Sequence, residues 1–118
     1  MHYNKEIGNF GEEMAVKFLI KKGYEIIGRN IQMGQNELDI VAKFKGLLVF
    51  VEVKTSTSKD LLAEDNMNRN KLKHFKRAVA DYLSLKKLSS DYIRPDLISI
   101  DLDMRTRMAK VQHFEDIF

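Results

Sequence analysis

From Leu47 to Thr55 the chain reads Leu-Leu-Val-Phe-Val-Glu-Val-Lys-Thr, apolar at odd and even positions alike until Glu52. Because a strand sends successive side chains to opposite faces, such a run predicts a strand covered on both sides, at the centre of a sheet with other layers above and below. The preceding run, Glu37 to Phe44, alternates Leu38, Ile40, Ala42 and Phe44 with Glu37, Asp39, Val41 and Lys43. Lys45-Gly46 between the two runs suits a two-residue turn, so the pair predicts a β-hairpin.

The rest of the chain supplies the covering layers. From Asn4 to Lys22, Ile7, Met14, Ala15, Phe18 and Leu19 recur at helical steps and Gly23 follows as a stop signal. Gly8 and Gly11 weaken the first turns of that helix, unless something approaches its backbone closely there. Tyr24 to Ile31 is a short β-prone run ending in the turn-like Met33-Gly34-Gln35-Asn36. Ser56 to Asn66 is polar and reads as a mobile loop. Met67 to about Leu88 reads as a second helix with Leu72, Phe75, Val79, Tyr82 and Leu83 on one face. After Pro95, the only proline, Leu97 to Leu102 and Met108 to His113 read as two further strands. The predicted order is αβββαββ, an α/β domain with a mixed five-stranded sheet between helices. With no repeat, low-complexity stretch or linker, residues 1–118 are expected to form one domain.

Composition narrows the chemistry. Apolar residues at 44% and charged residues at 31% suit a packed globular chain. The absence of cysteine excludes disulfides and thiolate metal sites, leaving hard ions such as magnesium or manganese for any metal centre. No apolar run reaches the roughly 20 residues of a membrane span and the N-terminus has no signal-peptide pattern, so the expectation is a cytoplasmic protein without a membrane partner. A net charge of +3 and a pI of about 9.1 permit a nucleic-acid partner without requiring one.

Glu52 and Lys54 stand two apart on the central strand and therefore share a face, although burying charge costs several kcal/mol unless it is paired or metal-bound. Pairing around Lys45-Gly46 puts Asp39 opposite Glu52, with Cβ atoms about 5 Å apart. Two carboxylates facing each other are unfavourable unless a cation lies between them, and a divalent metal is the natural occupant. Glu12 shares its helical face with Ala15, Val16 and Leu19 and can add a third acidic group. Magnesium on Asp39 and Glu52, with Lys54 orienting water or offsetting charge, suits phosphodiester hydrolysis.

These residues carry a resemblance. Asn36-Glu37-Leu38-Asp39-Ile40-Val41 and Phe50-Val51-Glu52-Val53-Lys54-Thr55 resemble the GEIDLI and FVEVKT motifs of the YraN-like family of predicted nucleases. Gly8 to Ala15 resembles its GxxGExxA opening, Gly23-Tyr24 with Arg29-Asn30 its GY…RN segment, Lys71 its second-helix lysine, and Arg94 to Ile98 with His113 to Phe118 its RFDVV and HxxxAF ending. The likeness covers nearly the whole chain. It implies a restriction-endonuclease-like core of the PD-(D/E)xK superfamily, similar to archaeal Holliday-junction resolvases, with Asp39, Glu52 and Lys54 as catalytic triad and Glu12 as accessory acid. Asn36 stands where that motif usually has glycine, and Ser56 where an arginine usually follows Lys54-Thr55; the resemblance implies an altered turn into the Asp39 strand from the first and a weakened phosphate contact from the second.

Other charged residues have plainer readings beside the functional ones. Lys71, Lys73 and Lys76 are candidate nucleic-acid contacts, yet such a helix face is more often simply solvated. His2, His74 and His113 have no metal-ligand spacing, and His113 reads as the end of the last strand. The functional expectation is a metal-dependent endonuclease acting on DNA, including branched or structured DNA. The alternative is a DNA-binding or interaction module that keeps the nuclease fold with weak or no turnover. Symmetric cutting of a junction needs two sites, so a homodimer is expected, with the last strand and the Phe114-to-Phe118 tail offering apolar surface for it.

Overall fold

The computed structural model describes residues 2–57 and 68–118, with side chains from residue 5 onward in the first helix. Its elements are α1 (His2–Lys21), β1 (Glu25–Met33), β2 (Asn36–Phe44), β3 (Leu47–Ser56), α2 (Arg69–Lys86), β4 (Ile93–Asp103) and β5 (Met108–Phe114). This is the αβββαββ order expected, and the five strands form one mixed sheet in sequential order with β3 at its centre. Only β3 and β4 run parallel, because α2 carries the chain back across the sheet between them; the other neighbours are antiparallel.

The twofold apolar character of β3 is used as anticipated. Val49 and Val51 face α1, where they pack with Ala15, Val16, Leu19, Ile98 and Ile100. Phe50 faces α2, packing with Phe75, Ala78, Val79 and Tyr82, its ring edge-on to Tyr82 with centroids 5.4 Å apart. Both residues of the Lys45-Gly46 turn have positive φ, 48° and 82°, which the type I′ hairpin geometry requires. The tight turn sets the β2–β3 register from Phe44 opposite Leu47 to Ile40 opposite Val51.

Some boundaries differ from the sequence reading. β4 begins at Ile93 and runs through Pro95, which is buried and aligned with Phe50 of β3. Proline is tolerated because β5 pairs with β4 only from Leu97 onward, so no ladder bond needs a Pro95 N–H; its carbonyl accepts from Ile117 N–H at 2.8 Å. α2 starts at Arg69 with Asn68 as N-cap, its side chain accepting from Lys71 N–H at 3.0 Å. The mobile loop expected over Ser56 to Asn66 lies, from residue 58 on, outside the described residues, as does the expected helix start at Met67. Ser56 itself is the buried last residue of β3. The Phe114-to-Phe118 tail folds onto its own chain, Ile117 packing against the α2-side core and Phe118 edge-on to Phe75 at 5.4 Å.

The two helix glycines are not equivalent. A Cβ on Gly11 would lie 1.9 Å from Thr55 Oγ1, so glycine lets α1 close on the end of β3 beside Lys54, whereas Gly8 has nothing within 4 Å. Gly11→Ala is therefore expected to lower stability by about 1–3 kcal/mol, because the β-branched Thr55 cannot swing clear, and a second change Thr55→Ala should recover part of the loss. Gly8→Ala should instead raise stability by roughly 0.5–1 kcal/mol through helix propensity. Urea unfolding of the three variants distinguishes these; equal effects at positions 8 and 11 contradict the close approach.

Candidate metal and phosphate site

The β2–β3 ladder ends at Ile40 and Val51, and in the same register Asp39 and Glu52 come next. Here β2 departs from regular alternation: Leu38 packs in the core under α2 and Ile40 in the core under α1, although residues two apart on a regular strand share a face. The Asp39 side chain takes over the ladder's role at the irregularity, its Oδ2 accepting from Val53 N–H at 2.8 Å. The sequence signature of the hairpin thus places a carboxylate where the two central strands part.

Glu52 and Lys54 sit on the same face of β3, with Lys54 Nζ 3.0 Å from Glu52 Oε1 and both side chains mostly buried. Burial pushes the Asp39 carboxyl up to about 8, with the nearby Glu52 charge adding to the rise, while the Val53 N–H works against it. Glu12 reaches the same place from α1 and lines one cavity with Asp39, together with Glu37, Asn30, Val53 and Thr55. Burial raises its carboxyl as well, opposed by Arg29, whose Nε lies 3.6 Å from Glu12 Oε1. That oxygen is buried without a hydrogen-bond partner among the described residues.

On the α2 side a second cleft of about 250 Å³ is lined by Asp39, Glu52, Lys54, Lys71, His74 and Asn36 among others. Asp39, Glu52, Lys54 and Glu12 are therefore brought to one end of the sheet. The three lysines of α2 separate: Lys71 joins the cleft, while Lys73 is exposed and Lys76 lies over the Phe118 ring at 5.2 Å. Glu37 was not singled out from sequence as a site residue, and His74 was set aside for want of metal-ligand spacing. Glu37, two residues before Asp39 on β2, lines both cavities.

The residues that fit a hard cation are Asp39 and Glu52. Among the described residues no three carboxylate or imidazole side chains converge tightly enough to form a ligand cage. Two carboxylates with room for water and substrate oxygens is nevertheless a donor set magnesium accepts. The raised Asp39 carboxyl means that, without a cation, this acid keeps its proton toward neutral pH beside Glu52.

A second polar network was missed altogether. Arg94, Asp96 and His113 meet on the α1 face: Arg94 Nη2 donates to Asp96 Oδ2 at 2.9 Å, His113 Nε2 lies 2.7 Å from the same oxygen, and Asp116 N–H donates to Oδ1 at 3.1 Å. Arg94 also donates to the Tyr24 hydroxyl and pairs with Glu115 at 3.4 Å. Burial alone would raise the fully buried Asp96, but the bonds from His113, Arg94 and Asp116 N–H outweigh it and hold the carboxyl below its usual range. Its task is to anchor the C-terminal tail. The signal was present in the sequence, because Arg94 and Asp96 are oppositely charged residues two apart in an apolar strand, as Glu52 and Lys54 are.

Residues 11–100 match the profile of the uncharacterised protein family UPF0102. The chain is 42% identical over 117 residues to a UPF0102 protein of Caldicellulosiruptor bescii, covering 97% of this chain and 98% of that one. It is 36% identical over 119 residues to a UPF0102 protein of Flavobacterium psychrophilum, covering 100% and 98%. With one from Clostridium perfringens strain 13 the identity is 33%, covering 98% and 96%. Among the described residues no helix is long and apolar enough to cross a membrane.

Asp39 yields a prediction of definite sign. Its folded-state value of about 8 lies above the ordinary 3.8, so the folded chain holds this proton more tightly and, without metal, loses stability as pH rises from about 4 through about 8. An asparagine at this position would keep an oxygen for the Val53 N–H without the charge. Asp39→Asn should thus melt roughly 5 °C or more above the unaltered chain near pH 8.5, the gap narrowing toward pH 4. Manganese should raise the melting temperature of the unaltered chain near pH 8.5 and leave the variant unmoved. Calorimetry across pH decides this, and an equal metal response in the two proteins rules out Asp39 as ligand.

Proposed function

The chain belongs to the uncharacterised protein family UPF0102, and we propose that it is a divalent-metal-dependent endonuclease with a restriction-endonuclease-like core that hydrolyses DNA phosphodiester bonds, including those of branched or structured DNA. The single observation that carries this reading is the placement of the buried Asp39 carboxyl in one cleft with the Glu52–Lys54 ion pair, where β2 and β3 part. Two acids in one buried place are destabilising in a purely structural network, and a bound cation relieves the conflict.

In this reading Asp39 and Glu52 hold magnesium or manganese, which when bound supplies a water of lowered pKa and polarises the phosphate. Lys54, tethered to Glu52 at 3.0 Å, donates hydrogen bonds to the attacking water or to a phosphoryl oxygen as charge develops. Glu12, whose Oε1 lacks a hydrogen bond in the cavity shared with Asp39, accepts from a water there as an accessory acid. The exposed ammoniums of α2 steer the DNA backbone. Two copies of the chain would serve the symmetric cutting of a junction.

The test is a panel of duplex, single-stranded, flap and four-way-junction DNA with magnesium or manganese. Lys54 is asked to act on the transition state, so Lys54→Ala should bind DNA within about threefold of the unaltered chain yet cut it at least roughly 10²-fold more slowly. The double change Lys73→Ala/Lys76→Ala should weaken binding and lower the salt dependence of affinity by about two phosphate contacts, while leaving cleavage at saturation intact. DNA binding with no cutting under either metal assigns the chain instead to a binding module that retains the fold.

A further inference from the structure

The β4–β5 turn and the start of α1 enclose a cleft of about 370 Å³ that the nuclease reading does not use. Its walls include Phe10, Met104 and Met108, which are 54%, 52% and 68% exposed. Three large apolar side chains exposed in one place make a partner surface rather than ordinary scatter. The turn between the two methionines is held in shape: Asp103 Oδ1 accepts from the N–H of Arg105 at 2.9 Å and of Thr106 at 3.3 Å, and the Asp103 carbonyl accepts from Arg107 N–H at 2.7 Å. The surface therefore exists before any partner arrives. Charge says what that partner is. Glu6 and Arg107 line the same cleft, and neither side chain has an ion-pair partner among the described residues. A twofold contact sets one patch against its own copy, so a patch carrying both signs at different points answers itself. A DNA backbone does not fit, since it would meet the acids Glu6 and Asp103 and three apolar side chains.

We propose that this cleft is the interface of a twofold homodimer, in which Phe10, Met104 and Met108 of two copies pack across the axis and Arg107 of each copy pairs with Glu6 of the other. The Phe114-to-Phe118 tail, where the sequence suggests such a surface, packs instead on its own chain through Ile117 and Phe118. The interface lies at the opposite end of β5, where Met108 begins the strand. Ile7 lines both this cleft and the cavity that holds Glu12 and Asp39, so the second copy stands beside that cavity. On the nuclease reading this brings the two sites of a dimer toward one axis, but the contact itself does not rest on that reading.

Sedimentation equilibrium of the full chain, without DNA or metal, tests this independently of turnover. The unaltered chain should form a dimer that dissociates on dilution. Phe10→Ser/Met108→Ser should be monomeric over the same concentrations with its circular dichroism unchanged, because both side chains are exposed in the monomer. Glu6→Arg and Arg107→Glu should each raise the dissociation constant at least roughly tenfold by setting like charges opposite each other. Mixed in equal amounts, these two variants should dimerise as well as the unaltered chain, since both contacts of the mixed dimer again join opposite charges. A chain that stays monomeric at high micromolar concentration, a dimer that survives Phe10→Ser/Met108→Ser, or a mixture that associates no better than its parts overturns the interface. A dimer with the expected behaviour in a chain that cuts no DNA keeps the interface and removes the nuclease reading.

Discussion

A strand buried on both faces must still come to an end, and how β3 ends governs this molecule. Through Val49, Phe50 and Val51 it is wholly apolar and holds α1 and α2 against opposite sides of one sheet. At Glu52 it meets the point where β2 parts from it, and from there it carries charge. The fold supplies the desolvation and the strand spacing supplies the proximity. The electrostatic state of the site follows from these two facts, because the Asp39 carboxyl is withdrawn from water next to an acid it cannot leave.

Holding that arrangement takes specific backbone work. The Lys45-Gly46 turn fixes the register up to Ile40 opposite Val51, and a slip of one residue would put an apolar neighbour in the place of Asp39 just beyond it. Gly11 lets α1 approach Thr55 and so delivers Glu12 to the cavity from the opposite side. The Asn68 cap begins α2 early enough for Lys71 to line the cleft that Lys54 also lines. These are small local choices on three different elements, and each positions one charged side chain of the same site.

Much of this was legible in the sequence because it depends on periodicity and turn length. The double apolar run of β3, the two-residue turn and the helix stripe of Phe75, Val79, Tyr82 and Leu83 are local patterns, and they determined the element order and the β2–β3 register as far as Ile40 opposite Val51. What escaped depends on contacts between distant segments. The close approach at Gly11 involves Thr55, the strand through Pro95 depends on where β5 starts, and the place of His113 depends on a carboxylate 17 residues away. The alternation read along β2 did not reveal that Leu38 and Ile40 pack on opposite faces either, since that irregularity exists because a side chain, Asp39, replaces a backbone acceptor.

The same local pattern, opposite charges two apart on a buried strand, meets two different fates in this sheet, and the difference separates structure from chemistry. At Arg94 and Asp96 the network is closed: the carboxylate is fully buried, accepts from Arg94, His113 and the Asp116 N–H, and is held below its usual range. Such a group has no capacity left for a ligand, and its energy is spent on fastening the C-terminal tail. At the end of β3 the network is open. Asp39 has a single backbone donor and is driven up to about 8, and Glu12 keeps a buried oxygen without a hydrogen bond, its ion-pair partner Arg29 Nε standing 3.6 Å away. Groups held in unsatisfied positions by a fold that is otherwise well packed are where added ions or substrate gain the most, because binding there removes a cost the folded chain already bears. The degree of satisfaction, rather than the mere presence of charge, is what distinguishes Asp39 and Glu12 from Arg94, Asp96 and His113.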